Sequence, residues 1–224
     1  MECARALKAI TARAGTFGLK PAILENKVVY VDMNDCPAQM DILAHVDVVP
    51  AGDGWSVTEP FVPLLRDGKL YSRGTCDDKG PAVAALYAMR AVRELNIPLK
   101  YNVRLILGAD EETGCRDTDC YYSHFKEAPC SYSPDGEYPV INMEKGGLGG
   151  YEQVMGEPGK CLAIGGGTYA RFLKNGVAFG ASRLGVDYHM HGANEYLVVD
   201  EIVRSAELFA LTIVALCGEH AEPM

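Results

Sequence analysis

The segment Met40-Asp41-Ile42-Leu43-Ala44-His45-Val46-Asp47-Val48-Val49-Pro50 indicates both the fold class and the position of a site. It begins as a short apolar run of the kind that forms a buried strand, and two polar side chains follow where that strand should end. Residues i and i+2 of a strand point to the same face, so His45 and Asp47 can meet at one site. In α/β proteins, ligands bind beyond the carboxyl ends of such strands.

Periodic segments on both sides of this run predict an α/β layer structure. Strands are expected at 27–33, 40–46, 101–109, 139–143, 160–164 and 177–180, and helices at 2–14, 81–95, 117–126 and 200–217. We expect the strands at 27–33 and 40–46 to be neighbours, because a short turn-rich connector joins them. Gly15 is expected to end the first helix. Asp200 is expected to cap the last helix, which Gly218 ends.

Composition and charge exclude several classes of protein. The 224 residues are 48% hydrophobic with a net charge of −9, and no run of Lys or Arg occurs, so a nucleic-acid partner is not expected. The longest apolar run, 208–217, is too short to cross a bilayer, so no membrane partner is expected either. The eight cysteines contain no C-x-x-C pair and the N-terminus does not look like a secretory leader. We therefore expect reduced thiols and a cytoplasmic location.

Five polar clusters follow predicted strands or lie in loops. They are His45 with Asp47, Asp77 with Asp78, Glu111 with Glu112, Asp135, and His189 with His191. Taken singly, each is weak evidence, because a lone histidine in an apolar strand is usually a core residue and paired carboxylates are usually a solvated turn. Together, two histidines and several carboxylates suit zinc or a similar divalent ion, and carboxylates can bridge two ions.

The residues around these clusters resemble the M20 family of zinc peptidases, and within it the bacterial dipeptidases of the PepV type. The motifs that carry the resemblance, in order, are His45-Val-Asp47-Val-Val-Pro50, Tyr71-Ser-Arg73-Gly74-Thr-Cys-Asp77-Asp78-Lys79-Gly80-Pro81, Asp110-Glu111-Glu112-Thr-Gly114, Ser133-Pro134-Asp135-Gly-Glu-Tyr-Pro139 and Met190-His191-Gly-Ala-Asn194-Glu195. The resemblance implies a zinc-peptidase-like three-layer sandwich, with a mixed, mostly parallel central sheet flanked by helices.

The resemblance also implies two zinc ions, with manganese or cobalt as alternatives, and a role for each ligand. One ion would be held by His45 and Asp135, and the other by His191 and Glu112. Asp77 would bridge them, and its peptide bond to Asp78 would be cis. His189 would be structural or lie on the rim of the site.

Two further carboxylates receive roles from the same resemblance. Asp47 would orient His45 by accepting a hydrogen bond from the ring nitrogen that does not bind metal. Glu111 would be the general base that takes a proton from the attacking water and passes it to the leaving amine. Spacing alone does not decide which of Glu111 and Glu112 is the base and which the ligand.

A glycine-rich segment resembles the part of the family that lies against the substrate. Gly166, Gly167, Thr168 and Arg171 could hold a substrate carboxylate, because backbone N–H groups at a helix start and a guanidinium both bind anions. The competing interpretation is a glycine-rich turn followed by a surface arginine.

One departure from the family concerns the lid and dimerisation domain that full-length members carry as an insertion. Here we expect residues 1–224 to form a single catalytic domain, with only a glycine-rich junction at 146–150 where the lid would be inserted, and the helices that precede Glu2 in the family also look shortened. A lidless chain would lack the family's dimer surface, so we expect a monomer. It would also lack a lid histidine that stabilises the tetrahedral intermediate, so we expect weakened turnover.

The predicted function is therefore the metal-dependent hydrolysis of a peptide bond in dipeptides or short peptides. Three alternatives stay open. The chain could be a metal-binding core without activity, or an M20 deacylase or desuccinylase that acts on N-acyl amino acids. It could also be a non-catalytic interaction domain whose acidic clusters are surface charge.

Overall fold

A computed structural model describes residues 2–138, 153–156 and 167–224 of the chain. The strands are β1 (Lys20–Leu24), β2 (Val28–Asp32), β3 (Ala38–His45), β4 (Leu64–Arg66), β5 (Lys69–Tyr71), β6 (Asn102–Gly108), β7 (Cys130–Ser133), β8 (Gly136–Tyr138), β9 (Gly176–Ala178), β10 (Ala181–Arg183) and β11 (Tyr196–Val198). The α-helices are α1 (Glu2–Thr16), α2 (Gly80–Glu94), α3 (Arg116–His124) and, last in the chain, α4 (Val199–Cys217). A short kinked segment spans Thr75–Lys79, in which Asp77 and Asp78 have non-helical φ/ψ angles, and 3-10 helices span Glu111–Thr113 and Tyr169–Phe172.

The central sheet has six strands in the order β1-β2-β6-β3-β7-β9. The pairs β6/β3, β3/β7 and β7/β9 are parallel, whereas β1/β2 and β2/β6 are antiparallel. Two small sheets accompany it, one pairing β10 with β8 in parallel and the other ordered β11-β5-β4. The α/β architecture confirms what the sequence pattern predicts, and the mixed, mostly parallel sheet is the one that the family resemblance implies.

Side chains along the central strands point alternately to the two faces of the sheet, and this explains the three layers. In β3, Met40 and Ile42 belong to one apolar cluster, whereas Leu43 belongs to another on the opposite face. The larger cluster contains buried residues of α1, α2 and α4, and the smaller one contains Tyr121 of α3. Helices therefore cover both faces of the sheet, which is why its central strands are apolar on both sides.

The expected adjacency of the strands at 27–33 and 40–46 is wrong. These strands are β2 and β3, and β6 lies between them, antiparallel to β2 and parallel to β3. The physical reason is that β3 is almost entirely buried and gains parallel partners on both sides, β6 and β7. A short connector does not require its two strands to pair.

Two helix ends also differ from expectation. Gly15 lies inside α1, and the chain turns at Gly18, which has a φ of +70° that favours glycine. Asp200 is in the first turn of α4 and is not its cap, because β11 runs directly into the helix through Val198. The amide of Val199 donates instead to the carbonyl of Gly68, at 2.9 Å.

Some expectations concern positions outside the described residues. The predicted strands at 139–143 and 160–164, the junction at 146–150 and the candidate substrate residue Gly166 are among them. Within the part of the chain that the structure describes, none of the helices has the length and apolar character needed to span a membrane.

Candidate metal centre

The five predicted metal ligands come from five separate parts of the fold. His45 is the last residue of β3, Asp77 lies in the kinked segment before α2, and Glu112 lies in the 3-10 helix that follows β6. Asp135 follows β7, and His191 lies in the loop that precedes β11. Three of these positions follow the carboxyl ends of the parallel strands β3, β6 and β7, the edge where α/β sheets hold ligands.

Asp77 stands between the two histidines, with a different oxygen toward each. Its Oδ1 lies 3.0 Å from Nε2 of His45, and its Oδ2 lies 2.6 Å from Nε2 of His191. The carboxylate is buried, so solvent does not compete for either oxygen. A single carboxylate between two imidazoles is the arrangement expected of a group that bridges two metal ions.

The remaining two predicted ligands complete a group around each histidine. Asp135 Oδ2 lies 3.8 Å from His45 Nε2, and Glu112 Oε2 lies 3.6 Å from His191 Nε2. In each group, His45 with Asp77 and Asp135 or His191 with Asp77 and Glu112, the potential ligand atoms lie within 4.8 Å of one another. The structure therefore brings together all five residues that the sequence singled out as ligands.

Unsatisfied buried atoms show that a divalent ion fits this centre. Nε2 of His45 is buried and, although Oδ1 of Asp77 is 3.0 Å away, no group meets it with the geometry of a hydrogen bond. Oε1 of Glu112 is also buried and makes no hydrogen bond. Buried polar atoms are normally paired, because leaving one unpaired costs roughly 1–3 kcal/mol. Both atoms belong to the proposed ligands, and an imidazole with carboxylates is a donor set that zinc, manganese and cobalt accept.

Asp47 lies behind His45 and connects two strand ends. Its Oδ1 is 3.3 Å from Nδ1 of His45, which is also 3.2 Å from the main-chain carbonyl of Asp47. The same carboxylate accepts hydrogen bonds from the amides of Glu111, at 3.3 Å, and Glu112, at 3.0 Å. One side chain thus fixes both the imidazole and the turn that carries the two glutamates.

The backbone around His45 is held from a second direction. The amide of His45 donates to Oδ2 of Asp78, at 3.1 Å, and the Asp77–Asp78 peptide bond is cis, as the resemblance implies. Burial and the neighbouring carboxylate of Asp135 raise the pKa of Asp78 well above its usual range. Asp78 therefore supports the site from beneath it as a hydrogen-bonding group in the core.

The charges of the centre divide the carboxylates into two kinds. Although burial opposes ionisation of Asp77, its contacts with His45 and His191 lower its pKa. Burial raises the pKa of Glu111 and Glu112, and it raises that of Asp135 to about 7. The position between the two histidines is thus occupied by a carboxylate that stays ionised. Glu111, outside both ligand groups, holds a proton more readily than a solvated glutamate.

His45 also responds to these surroundings. Burial acts to lower its pKa, but the carboxylates of Asp47 and Asp77 outweigh this effect and raise the pKa well above the usual value. The surrounding negative charge therefore calls for a cation at this position, either a proton or a metal ion.

Sequence reasoning missed the role of Glu195. This fully buried carboxylate accepts hydrogen bonds from the amides of Gly74, Cys76 and Asp77, at 3.0, 2.9 and 3.3 Å, and from Nη1 of Arg73, at 2.6 Å. It therefore fixes the backbone that carries Asp77. The signal was present in the last quoted motif, where a glutamate follows His191 by four residues, but a carboxylate satisfied by main-chain amides leaves no spacing pattern.

A second missed group holds the turn after β6. Asp117 accepts hydrogen bonds from the amides of Ala109 and Asp110, at 2.7 and 2.8 Å, and from the hydroxyl of Tyr169, at 2.5 Å. A Cβ at Gly108 would lie 2.0 Å from that hydroxyl and 2.2 Å from the carboxylate, so only glycine fits there. The tyrosine ring also packs edge-on against His45.

The predicted substrate residues lie beside the centre with less definite contacts. Thr168 caps the short 3-10 helix, since its side chain accepts a hydrogen bond from the amide of Ala170 at 3.1 Å. Arg171 is exposed, and its Nη2 lies 3.5 Å from Sγ of Cys115. Its charge also acts on Glu111, whose pKa it helps to lower against the effect of burial. Gly167 is exposed next to this arginine.

His189 belongs to neither ligand group. It is exposed, has a φ of +57°, and its Nδ1 lies 3.2 Å from the carbonyl of Ala193. The neighbouring Asn194 instead ties the histidine loop to the loop after β3, because its Oδ1 accepts from the amides of Ser56 and Val57, both at 2.9 Å.

Residues 42–150 match the family model described as Peptidase family M20/M25/M40. This segment belongs to peptidase family M20. Relatives of the M20 segment include "Putative dipeptidase YtjP" of Bacillus subtilis, 47% identical over 105 residues that cover 47% of this chain and 22% of the relative. A "Putative dipeptidase" of Staphylococcus epidermidis is 44% identical over 107 residues, which cover 48% of this chain and 23% of the relative. The chain thus matches less than a quarter of the length of these relatives.

Solved structures share the fold of this chain. An M20 family metallo-carboxypeptidase from Sulfolobus solfataricus, Sso-CP2, has a TM-score of 0.77 at 12% identity, covering 93% of both chains. The di-peptidase Dug1p from Saccharomyces cerevisiae has a TM-score of 0.75 at 12% identity, covering 91% of this chain and 88% of its own. Human carnosine dipeptidase 1 has a TM-score of 0.54 at 25% identity, and the match covers 61% of this chain and 33% of the dipeptidase. At 12% identity, the first two likenesses show the fold alone.

Proposed function

We propose that this chain is a peptidase that hydrolyses dipeptides or short peptides at a centre of two zinc ions. His45 and Asp135 would hold one ion, His191 and Glu112 the other, and Asp77 both. The observation that carries the proposal is the position of Asp77, with one oxygen 3.0 Å from His45 and the other 2.6 Å from His191. When bound, the ions would polarise the scissile carbonyl and lower the pKa of a water molecule.

Glu111 is the general base in this proposal. It lies outside both ligand groups, and the carboxylate of Asp47 holds its amide next to that of Glu112. Burial raises its pKa toward the range in which a carboxylate both accepts and releases a proton at neutral pH. It would take the proton of the attacking water at its carboxylate and deliver it to the nitrogen of the leaving amine.

Arg171 and the segment that precedes it are proposed to bind the substrate's carboxylate. The guanidinium is exposed and close enough to affect the charge of Glu111. Gly167, with no side chain, leaves room beside it, and Gly166 and Thr168 complete the proposed segment. The names of the relatives, which describe dipeptidases, support a short peptide as substrate. The proposal also places the enzyme in the cytoplasm as a monomer.

Glu111→Ala tests the proposal. Loss of a general base typically costs ~10²–10⁴ in rate, so we expect the variant's hydrolysis of a dipeptide panel to fall to the level of metal-stripped protein. Bound metal, measured by elemental analysis, should stay unchanged, because Glu111 is not a proposed ligand. Glu59→Ala, at an exposed glutamate, is the matched control and should keep the wild-type rate.

Two results would redirect this conclusion. A Glu111→Ala variant that hydrolyses dipeptides at the wild-type rate would contradict the assigned base. A metal-loaded wild type that turns over N-acyl amino acids but no dipeptide would favour the deacylase alternative. We also propose weakened turnover for a chain without the family's lid, since one missing oxyanion donor typically costs ~10²–10³ in rate.

A further inference from the structure

We propose that Glu25, Cys120 and His124 form a surface site for one zinc ion, separate from the metal centre. One potential ligand atom from each of these residues lies within 4.8 Å of the others. Nε2 of His124 is 3.8 Å from Oε1 of Glu25. Cys120 and His124 are four residues apart on α3, so both side chains lie on one face of that helix.

The local backbone holds Glu25 toward α3. Glu25 and Asn26 have φ values of 48° and 57°, and the amide of Lys27 donates to the carbonyl of Leu24 at 2.9 Å. This is a tight turn between the paired strands β1 and β2, whose register is fixed by five residue pairs. The carboxylate is therefore presented from a rigid hairpin.

The imidazole of His124 is oriented as a metal ligand usually is. Its Nδ1 lies 3.0 Å from the carbonyl of Cys120 and 3.0 Å from Oγ of Ser123. A hydrogen bond from Nδ1–H to the carbonyl leaves the lone pair on Nε2, the atom that faces Glu25. Metal-bound histidines characteristically donate their other ring nitrogen to a carbonyl or carboxylate in this way.

The donor set selects zinc among the common divalent ions. A thiolate, an imidazole and a carboxylate are the three ligand types that zinc takes in proteins, and three of them leave a fourth position for water. Zinc binds the thiolate form of cysteine, so binding would release the thiol proton of Cys120 to solvent and would strengthen with rising pH.

One existing contact competes with the ion. Nζ of Lys27 lies 3.2 Å from Oε2 of Glu25, whereas Oε1 faces His124. Both partners are about half exposed, and exposed ion pairs contribute little to stability. The lysine can therefore turn away, and a bound ion would join the hairpin to α3.

Cobalt spectroscopy of the whole chain separates this site from the metal centre. The proposed ligands of the centre are nitrogen and oxygen atoms only, so a thiolate-to-cobalt charge-transfer band in the near ultraviolet would report on Cys120. We expect this band when Co²⁺ is titrated beyond the two equivalents of the centre, and we expect Zn²⁺ to displace it. Cys120→Ser should lose the band, whereas Cys36→Ser, at another half-buried thiol, should keep it.

His124→Ala provides a second, independent variant. The imidazole is about half exposed, so this change should leave the fold intact by circular dichroism. Removing one of three ligands should weaken zinc binding at the surface site at least ~10-fold, by analogy with the 10–100-fold losses seen for outer-shell partners. The proposal is overturned if saturating Co²⁺ gives no thiolate band, if the band persists in Cys120→Ser, or if His124→Ala binds the third ion as tightly as wild type.

Discussion

At the scale of single residues, Asp77 shows why the centre needs an aspartate. Each oxygen faces a different histidine, and both histidines act to keep the carboxylate ionised. An asparagine would offer one oxygen and one N–H donor, and the donor would face an imidazole or an ion. The side chain is also short, so the buried backbone of the kinked segment Thr75–Lys79 sets its position directly.

Asp47→Asn tests the outer support of the same centre. The change keeps the shape of the side chain but removes the negative charge beside His45 and replaces one acceptor of the Glu111 and Glu112 amides. Loss of such partners typically weakens metal affinity ~10–100-fold, and we expect a loss in that range. Competition with a chromogenic chelator measures it.

The control for this prediction is Asp53→Asn, which removes the same charge from an exposed position in the loop after β3. It should leave the affinity unchanged. If both variants lose affinity equally, the effect comes from net charge and not from the contact with His45.

Some residues could be identified from the sequence and others could not. His45, Asp77 and His191 are recognisable because each stands in a motif, and the motifs occur in a fixed order. Asp117 and Glu195 act by accepting main-chain N–H groups, which every residue has, so nothing in the sequence identifies their partners. Their importance is visible only once the chain is folded.

At the scale of elements, the Thr75–Lys79 segment depends on one buried ion pair. Glu195, the residue before β11, binds the guanidinium of Arg73 and the amide of Gly74, together with the amides of Cys76 and Asp77 in this segment. Neither charged side chain reaches solvent. Nη2 of Arg73 also donates to the carbonyls of Ala51 and Gly192, at 3.0 and 2.9 Å. Two loops and a helix start are therefore joined at one guanidinium.

Glu195→Gln should destabilise the protein strongly. The amide group of glutamine would point an N–H donor at groups that are themselves donors. Arg73 would also lose the one buried carboxylate that it contacts among the described residues. Breaking a buried pair by removing one partner typically costs ~3–5 kcal/mol. Urea unfolding of the metal-free protein measures the loss of stability.

Glu219→Gln, near the end of the described chain and exposed, serves as the matched control and should be neutral. An unchanged free energy of unfolding in Glu195→Gln would show that the pair does not support the segment. If Glu195→Gln loses metal binding but keeps its stability, the pair acts only by positioning Asp77.

The elements themselves were predicted unevenly. The long buried strands β3 and β6 and the alanine-rich α2 have clear apolar patterns and were predicted nearly at their observed bounds. The three-residue strands β4, β5 and β11 were missed, because so short an element shows no periodicity. The order of strands depends on pairings between distant segments, which local patterns do not report.

At the scale of the whole molecule, the sheet contains a carboxyl group that should make stability depend on pH. Asp41 in β3 is buried and accepts a hydrogen bond from the amide of Ala128 at 3.2 Å. Burial raises its pKa from 3.8 to about 7, although Arg104 acts in the opposite direction. Asp32 and Glu127 add to the increase.

The sign of the effect follows from proton binding. Between about pH 4 and pH 7 the folded chain keeps the proton of Asp41 while the unfolded chain has lost it. Stability should therefore fall as pH rises through this window. Asp41→Asn, which keeps an acceptor for Ala128, should remove this contribution and be more stable than wild type at pH 8, by at most ~4 kcal/mol at 1.36 kcal/mol for each pKa unit.

Urea unfolding of metal-free wild type and variant at pH 5 and pH 8 checks this prediction. The advantage of the variant should grow between the two values, since the penalty is only partly present at pH 5. Asp35→Asn, at an exposed aspartate, should show no such growth. An equal difference at both pH values would mean that Asp41 titrates normally.

The five residues of the metal centre also have a consequence for how the chain assembles. His45 and His191 are 146 positions apart, and Asp77, Glu112 and Asp135 come from three segments between them. Two metal ions bound by all five residues would close several long loops of the chain at once. Closing such loops has an entropic cost that increases with their length. During synthesis, residue 135 precedes residue 191, so the His45 half of the centre can gather its ligands first. Capture of the second ion would then mark the arrival of the last ligand segment.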